Sequence, residues 1–137
     1  MFGHLQVKSA YSFQSSTILI KDLVALAASK QIDALALCDQ DNMFGAFEFY
    51  EACQSAGIKP IFGVEATVKI EDEKYPFTLL AQDDVGYFDL VRIVSDINTN
   101  EDRCLTMEGL AVYKEHLFII SASREGIIQR LIEKEME

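Results

Sequence analysis

Residues 33–68 read DALALCDQDNMFGAFEFYEACQSAGIKPIFGVEATV. The opening DALALCD is a short, nearly unbroken apolar run, as expected of a strand buried on both faces. Ala46, Phe49, Tyr50 and Cys53 then recur at helical spacing, and Gly57 is placed to end that helix, because glycine adopts the left-handed conformation freely. A second strand follows in IKPIFGVEATVKI, with Gly63 at its middle. Strand, helix and strand in this order predict an α/β domain.

The same alternation extends in both directions. Upstream, GHLQVKS alternates as a first strand, and KDLVALAASK carries either Leu23, Ala27 and Lys30 or Val24, Ala27 and Ala28 on one helical face. Downstream come a polar hairpin around EDEK, the strand PFTLLAQ, and a helix in VGYFDLVRIVSDI. Asp83 or Asp84 is placed to cap that helix, and its apolar stripe is expected at Tyr87, Leu90, Val91 and Val94. Thr106 with Gly109 and Leu110 predicts a short capped helix. HLFIIS is a fifth strand and EGIIQRLIEKEME a terminal amphipathic helix. Short apolar strands alternating with helices predict a mainly parallel sheet in a single domain spanning 1–137.

Twenty-two acidic residues against twelve basic give a net charge of −10. Phosphate-gripping surfaces draw affinity from clustered Lys and Arg, so this acidic segment is not expected to hold nucleic acid directly. No apolar run approaches a membrane span, and the first residues lack the plan of a secretory signal, which places the chain in the cytoplasm. Cys38, Cys53 and Cys104 are odd in number, far apart, and without a CxxC pair; buried thiols are expected rather than disulfides or a thiolate zinc site.

In parallel α/β folds, ligands bind beyond the carboxyl ends of the strands. Those places here are Gln6 to Ser16, CDQDN at 38–42, GVE at 63–65 and SAS at 121–123. Asp39, Asp41 and Glu65 are candidate ligands for a hard cation, with His4 as the nearest imidazole. Asp39 and Asp41 equally suit a loop that bonds its own backbone and caps the next helix. Lys8 either faces solvent or sets an ammonium among carboxylates, taking a cation's place. Ser12, Ser15, Ser16 and Ser121 have no adjacent base, and no phosphate-cradling glycine loop is present. The aromatic group Phe44, Phe47, Phe49 and Tyr50 is expected in the core.

The stretches HLQVKSAYSF, ALALCDQDNMFGAFEFYEACQSAGIKPIFGVEATV, FTLLAQDDVGYFDLVRIVS and LFIISASREGII together resemble the N-terminal PHP (polymerase and histidinol phosphatase) domain of the bacterial DNA polymerase III alpha subunit, in its low-GC Gram-positive form. The resemblance implies part of a distorted, TIM-like β/α barrel, with the rest of the PHP domain and the polymerase core absent. Active members bind about three metal ions and hydrolyse phosphoesters. Aligned by resemblance, their ligand positions fall on Gln6, Lys8, Ser15, Gln40, Glu65, Pro76 and Ser123, where Glu65 alone keeps the family's ligand type. Losing even one outer partner weakens a metal site about ten- to a hundredfold, so no metal and no catalytic residue are expected in this segment. The resemblance further implies a DNA-directed DNA polymerase (a nucleotidyltransferase) as the parent protein, using magnesium on aspartates outside this chain. The rest of the alpha subunit is the expected partner, along with other replisome proteins and self-association through exposed strand edges. The competing expectation is a stand-alone metal-dependent phosphoesterase with a reduced site on His4, Asp39, Asp41 and Glu65.

Overall fold

The computed structural model describes residues 3–121 and 126–135. Its elements are β1 (Gly3–Val7), α1 (Ile20–Ser29), β2 (Ala34–Gln40), α2 (Ala46–Ala56), β3 (Lys59–Ile70), β4 (Glu73–Ala81), α3 (Asp84–Thr99), β5 (Leu105–Thr106), α4 (Met107–Ala111), β6 (Leu117–Ser121) and α5 (Ile127–Glu135). The stretch quoted first is the β2–α2–β3 unit. β2 is buried from Ala34 through Asp39 and pairs in parallel with β3, from Ala34 beside Lys59 to Gln40 beside Glu65. Gly57 ends α2 in the left-handed region at φ 69°, and the next amide, Ile58 N, donates to Cys53 O at 3.0 Å.

The strands lie in the order β1-β2-β3-β4-β6, with β5 on β3. β1, β2 and β3 run parallel, and β5 runs parallel to β3. β4 pairs antiparallel with both β3 and β6, so β6 points the same way as β3 and β4 alone is reversed. The expected mainly parallel sheet is therefore correct for the N-terminal half and needs correction at β4. Only Glu71 and Asp72 separate β3 from β4, and so short a turn joins antiparallel strands alone, whereas a parallel return needs a crossover of a dozen residues or more.

The sheet is curled. Gln6 Nε2 on β1 donates to Thr78 Oγ1 on β4 at 3.0 Å. Three strand spacings would put β1 and β4 about 14 Å apart in a flat sheet, so the bond requires a half-barrel with these side chains on its concave face. Period-two alternation then assigns the faces. On the convex side, Val64, Ala66, Val68, Phe77 and Leu79 pack against Leu90, Ile93 and Ile97 of α3. A second convex core joins Leu35 and Leu37 to Ile20, Val24 and Ala27 of α1 and to Phe49 and Cys53 of α2. The concave core is small: Ala36, Cys38 and Leu80. Gly63 permits it, since a Cβ there would stand 2.6 Å from both Cys38 Sγ and Leu80 Cδ2.

Two helix faces differ from expectation. α3 buries Leu90, Ile93 and Ile97, while Val91 is exposed and Tyr87 and Val94 are half-buried. Two apolar stripes one residue step apart coexist on this helix, and the sheet takes the one carrying both isoleucines. On α2, Phe49 is fully buried, but Phe47 and Tyr50 are exposed, as is Phe44 in the turn before the helix. Only one face of α2 meets the sheet, and Phe47 and Tyr50, three residues apart, share the other. The caps agree with the sequence: Asp83 Oδ1 accepts from Gly86 N at 2.9 Å, and Thr106 Oγ1 from Gly109 N at 3.0 Å. All three cysteines are free and buried. Among the described residues no helix is long and apolar enough to cross a membrane.

Candidate functional site

Three of the four segments expected at the carboxyl ends of the strands converge at one end of the half-barrel. β1 delivers Gln6 and, just past its end, Lys8; β2 delivers Cys38, Asp39 and Gln40; β3 delivers Glu65. Of the fourth segment, Ser121 ends β6 beside Phe77, while Ser123 lies outside the described residues.

Of the two readings open for Lys8, the structure selects the ion pair. Lys8 Nζ lies 2.6 Å from Glu65 Oε1, both side chains being more than two-thirds shielded from solvent. The Lys8 carbonyl accepts from Ser16 Oγ at 2.9 Å, which fixes the backbone that carries the ammonium. Ser15 Oγ reaches Gln40 Oε1 at 3.4 Å, and Pro76 pairs with Thr67 across β3 and β4. His4 is exposed on β1 at the edge of the sheet.

Asp39 is 2 % exposed, and its carboxylate gathers the loop that follows β1. Oδ1 accepts from Ser9 N at 2.7 Å and Ser12 Oγ at 2.6 Å; Oδ2 accepts from Ser9 Oγ at 2.7 Å. Ser12 Oγ in turn accepts from Gln40 N at 3.0 Å. A carboxylate holding charge-assisted bonds of this length has its oxygens committed to the protein. Asp41, at φ 51°, is similarly committed: Oδ1 and Oδ2 each lie 2.7 Å from donors of Thr67, its N and Oγ1. Burial raises the Asp41 pKa, opposed by those two bonds. Neither aspartate caps α2, whose N-cap Gly45 has no side-chain bond; Asn42 Oδ1 accepts from Phe44 N at 3.1 Å in the turn ahead of the helix. Beneath them, the Cys38 thiol is pushed up to about 12, first by burial and then by the nearby Asp39 and Glu65 charges, and it donates to Leu5 O at 3.3 Å.

At this end the Glu65 carboxylate is bonded to an ammonium, Asp39 accepts three bonds and Asp41 two from protein donors, and Gln6, Gln40, Ser15 and Pro76 offer a metal ion no charged donor. Among the described residues no three His, Cys, Asp or Glu side chains are grouped so as to hold one. These bonds tie the strand ends and the 8–16 loop to one another.

Two features were not anticipated from sequence. The Ser9 and Ser12 cage around Asp39 is one; hydroxyls three residues apart in a polar loop were the available signal. The other is His116, whose Nδ1 lies 2.8 Å from Asp83 Oδ2, on the same side chain that caps α3. Hydrogen bonding to Asp83 raises the His116 pKa; the Gly86 amide, then His116, lowers that of Asp83. At the opposite end of the half-barrel an apolar cavity of about 880 Å³ lies among Phe47, Tyr50, Phe62, Tyr87 and Phe118.

Residues 4–137 match the PHP domain family model. The DNA polymerase III alpha subunit of Bacillus subtilis is 38% identical over 135 residues, a match covering 96% of this chain and 12% of that protein. The chain thus spans about an eighth of that relative. Two solved structures share the fold. An amidohydrolase from Chromobacterium violaceum, with bound sulfate and no metal, superposes with a TM-score of 0.54 at 23% identity, covering 70% of this chain and 34% of that one. A proposed metal-dependent phosphoesterase from Bifidobacterium adolescentis gives 0.53 at 20% identity, covering 82% and 43%.

Proposed function

This chain belongs to the PHP domain family, and from that premise we propose that it is the N-terminal PHP portion of a replicative DNA polymerase III alpha subunit, acting in the cytoplasm as a structural and interaction module with a degenerate metal site. The observation that carries the reading is the Lys8–Glu65 pair at 2.6 Å. Of the positions aligned with the family's ligands, Glu65 alone keeps the ligand type, and an ammonium occupies its oxygen. Lys8 and Gln6 cannot accept an ion as two imidazoles would, since an ammonium has only donors and an amide oxygen is a weak neutral ligand. The 38% identity to the Bacillus subtilis subunit supports the parent assignment. Polymerase activity, with its magnesium, belongs in this reading to chain outside these residues.

Metal content decides the site. Elemental analysis of the purified chain, followed by calorimetric titration with Zn²⁺ and Mn²⁺, is expected to give no stoichiometric ion and no heat at micromolar concentrations. A tightly bound ion, with phosphoester hydrolysis abolished by Glu65→Gln, would replace this reading with a phosphoesterase. The parent assignment has its own test. Peptides of this segment recovered from cells are expected in a full-length polymerase band, and a free species of 15.4 kDa would count against it.

A further inference from the structure

Gln6 and Lys8 lie two residues apart at the end of β1, and neither settles for the neighbouring strand. Lys8 reaches across β2 to Glu65 on β3, and Gln6 reaches across β2 and β3 to Thr78 on β4. Thr78 is 1 % exposed, so the Gln6 bond ends on a buried hydroxyl. A divalent ion at such a place joins strands by drawing ligands from several of them at once. Here two direct side-chain bonds join β1 to β3 and β4.

We propose that Lys8 is a tethered cation, an ammonium delivered by β1 that cross-links the strand ends of the half-barrel and closes Glu65 to any other cation. The inference rests on the metal-free reading of the site given above. Its physics is simple. An ion in solution must be captured and can be lost, whereas the Lys8 charge is covalently held and its backbone is pinned by Ser16. A metal ion approaching Glu65 meets a like charge within bonding distance of the same oxygen. Removing the ammonium leaves a partly buried carboxylate without a partner, while removing both charges does not.

The test is thermal unfolding of the 137-residue chain, in chelator and with added Zn²⁺ or Mn²⁺, for the wild type and three variants. Lys8→Met is expected to lower Tm by about 3–8 °C. Lys8→Arg should recover most of that loss by restoring the charge, and Lys8→Met combined with Glu65→Met should recover part of it. Wild-type Tm should be the same in chelator and metal. A Tm for Lys8→Met equal to wild type, or a double variant no better than the single one, overturns the tethered cation. If Lys8→Met does not fold, the double variant decides: folding regained supports the inference and folding still lost overturns it. A metal-induced rise in wild-type Tm overturns the underlying metal-free reading instead, so the two failures are distinguishable.

Discussion

The two faces of the curled sheet are built on different principles. The convex face is held by two apolar cores under α1, α2 and α3, in which Val64, Leu79, Leu90, Ile93 and Phe49 are fully buried. Among the described residues the concave face has three buried core residues, and directional bonds do the rest: Gln6 to Thr78 and Lys8 to Glu65, with the Ser9 and Ser12 donors to Asp39 closing the same strand ends from the other side of β2. Apolar packing tolerates exchange among side chains of similar volume. Directional bonds specify residue types, which is why sequence identity at the concave end carries functional meaning and identity in the convex cores mostly reports volume.

Truncation is the strongest way to break that contrast. Leu90→Ala, at the centre of the α3 contact, should cost about 2–5 kcal/mol from lost transfer energy and the cavity left behind. Asp39→Ala, which removes far less apolar area, should cost about 2–4 kcal/mol by orphaning buried donors. Urea denaturation of both variants checks this. If Asp39→Ala proves nearly neutral, the polar end is ornament and the contrast fails.

A gentler probe lies at the start of β6, where His116 meets Asp83. Folding raises the His116 pKa above 6.5, so its contribution is whole below that value and fades as pH rises through the folded pKa. Asp83 is depressed below 3.8, so its contribution is present above that value and is lost as pH falls through the lower folded pKa. Nuclear magnetic resonance titration should place His116 above 6.5, and Asp83→Asn should bring it back down. Both groups are exposed, so the expected change in Tm is small, and an unshifted His116 would remove this clamp from the account.

Much of this architecture was legible in the chain. The β2–α2–β3 unit was readable because its strand and helix periods differ and Gly57 separates them. The site end was readable as a place, since polar segments follow consecutive strands. Its bonds were not. Ser9 and Ser12 lie 30 and 27 residues from Asp39, and Lys8 lies 57 from Glu65. No local pattern encodes such pairings, so both readings of Lys8 stood until the curl of the sheet was known. β4 departs from the pattern for a different reason. EDEK predicts a hairpin, whose two-residue turn imposes an antiparallel direction against the strand–helix alternation of the rest of the chain. The α3 stripe and the aromatic residues of α2 show that periodicity finds a helix more readily than it finds which face is covered.

The reversed strand also sets an order of events in time. β3 and β4 meet after a turn of two residues, Glu71 and Asp72, whereas β1 reaches β2 only after the 8–33 segment has been closed. Hairpins form in about 1–10 μs, and closing longer segments costs more chain entropy before any contact repays it. The hairpin gives an otherwise slow parallel topology a local place to begin. Pulse-labelled hydrogen exchange during refolding should find the β3–β4 amides around Val68 and Tyr75 protected before those joining β1 to β2. On this account the strand that breaks the pattern of the sheet is the one that starts it.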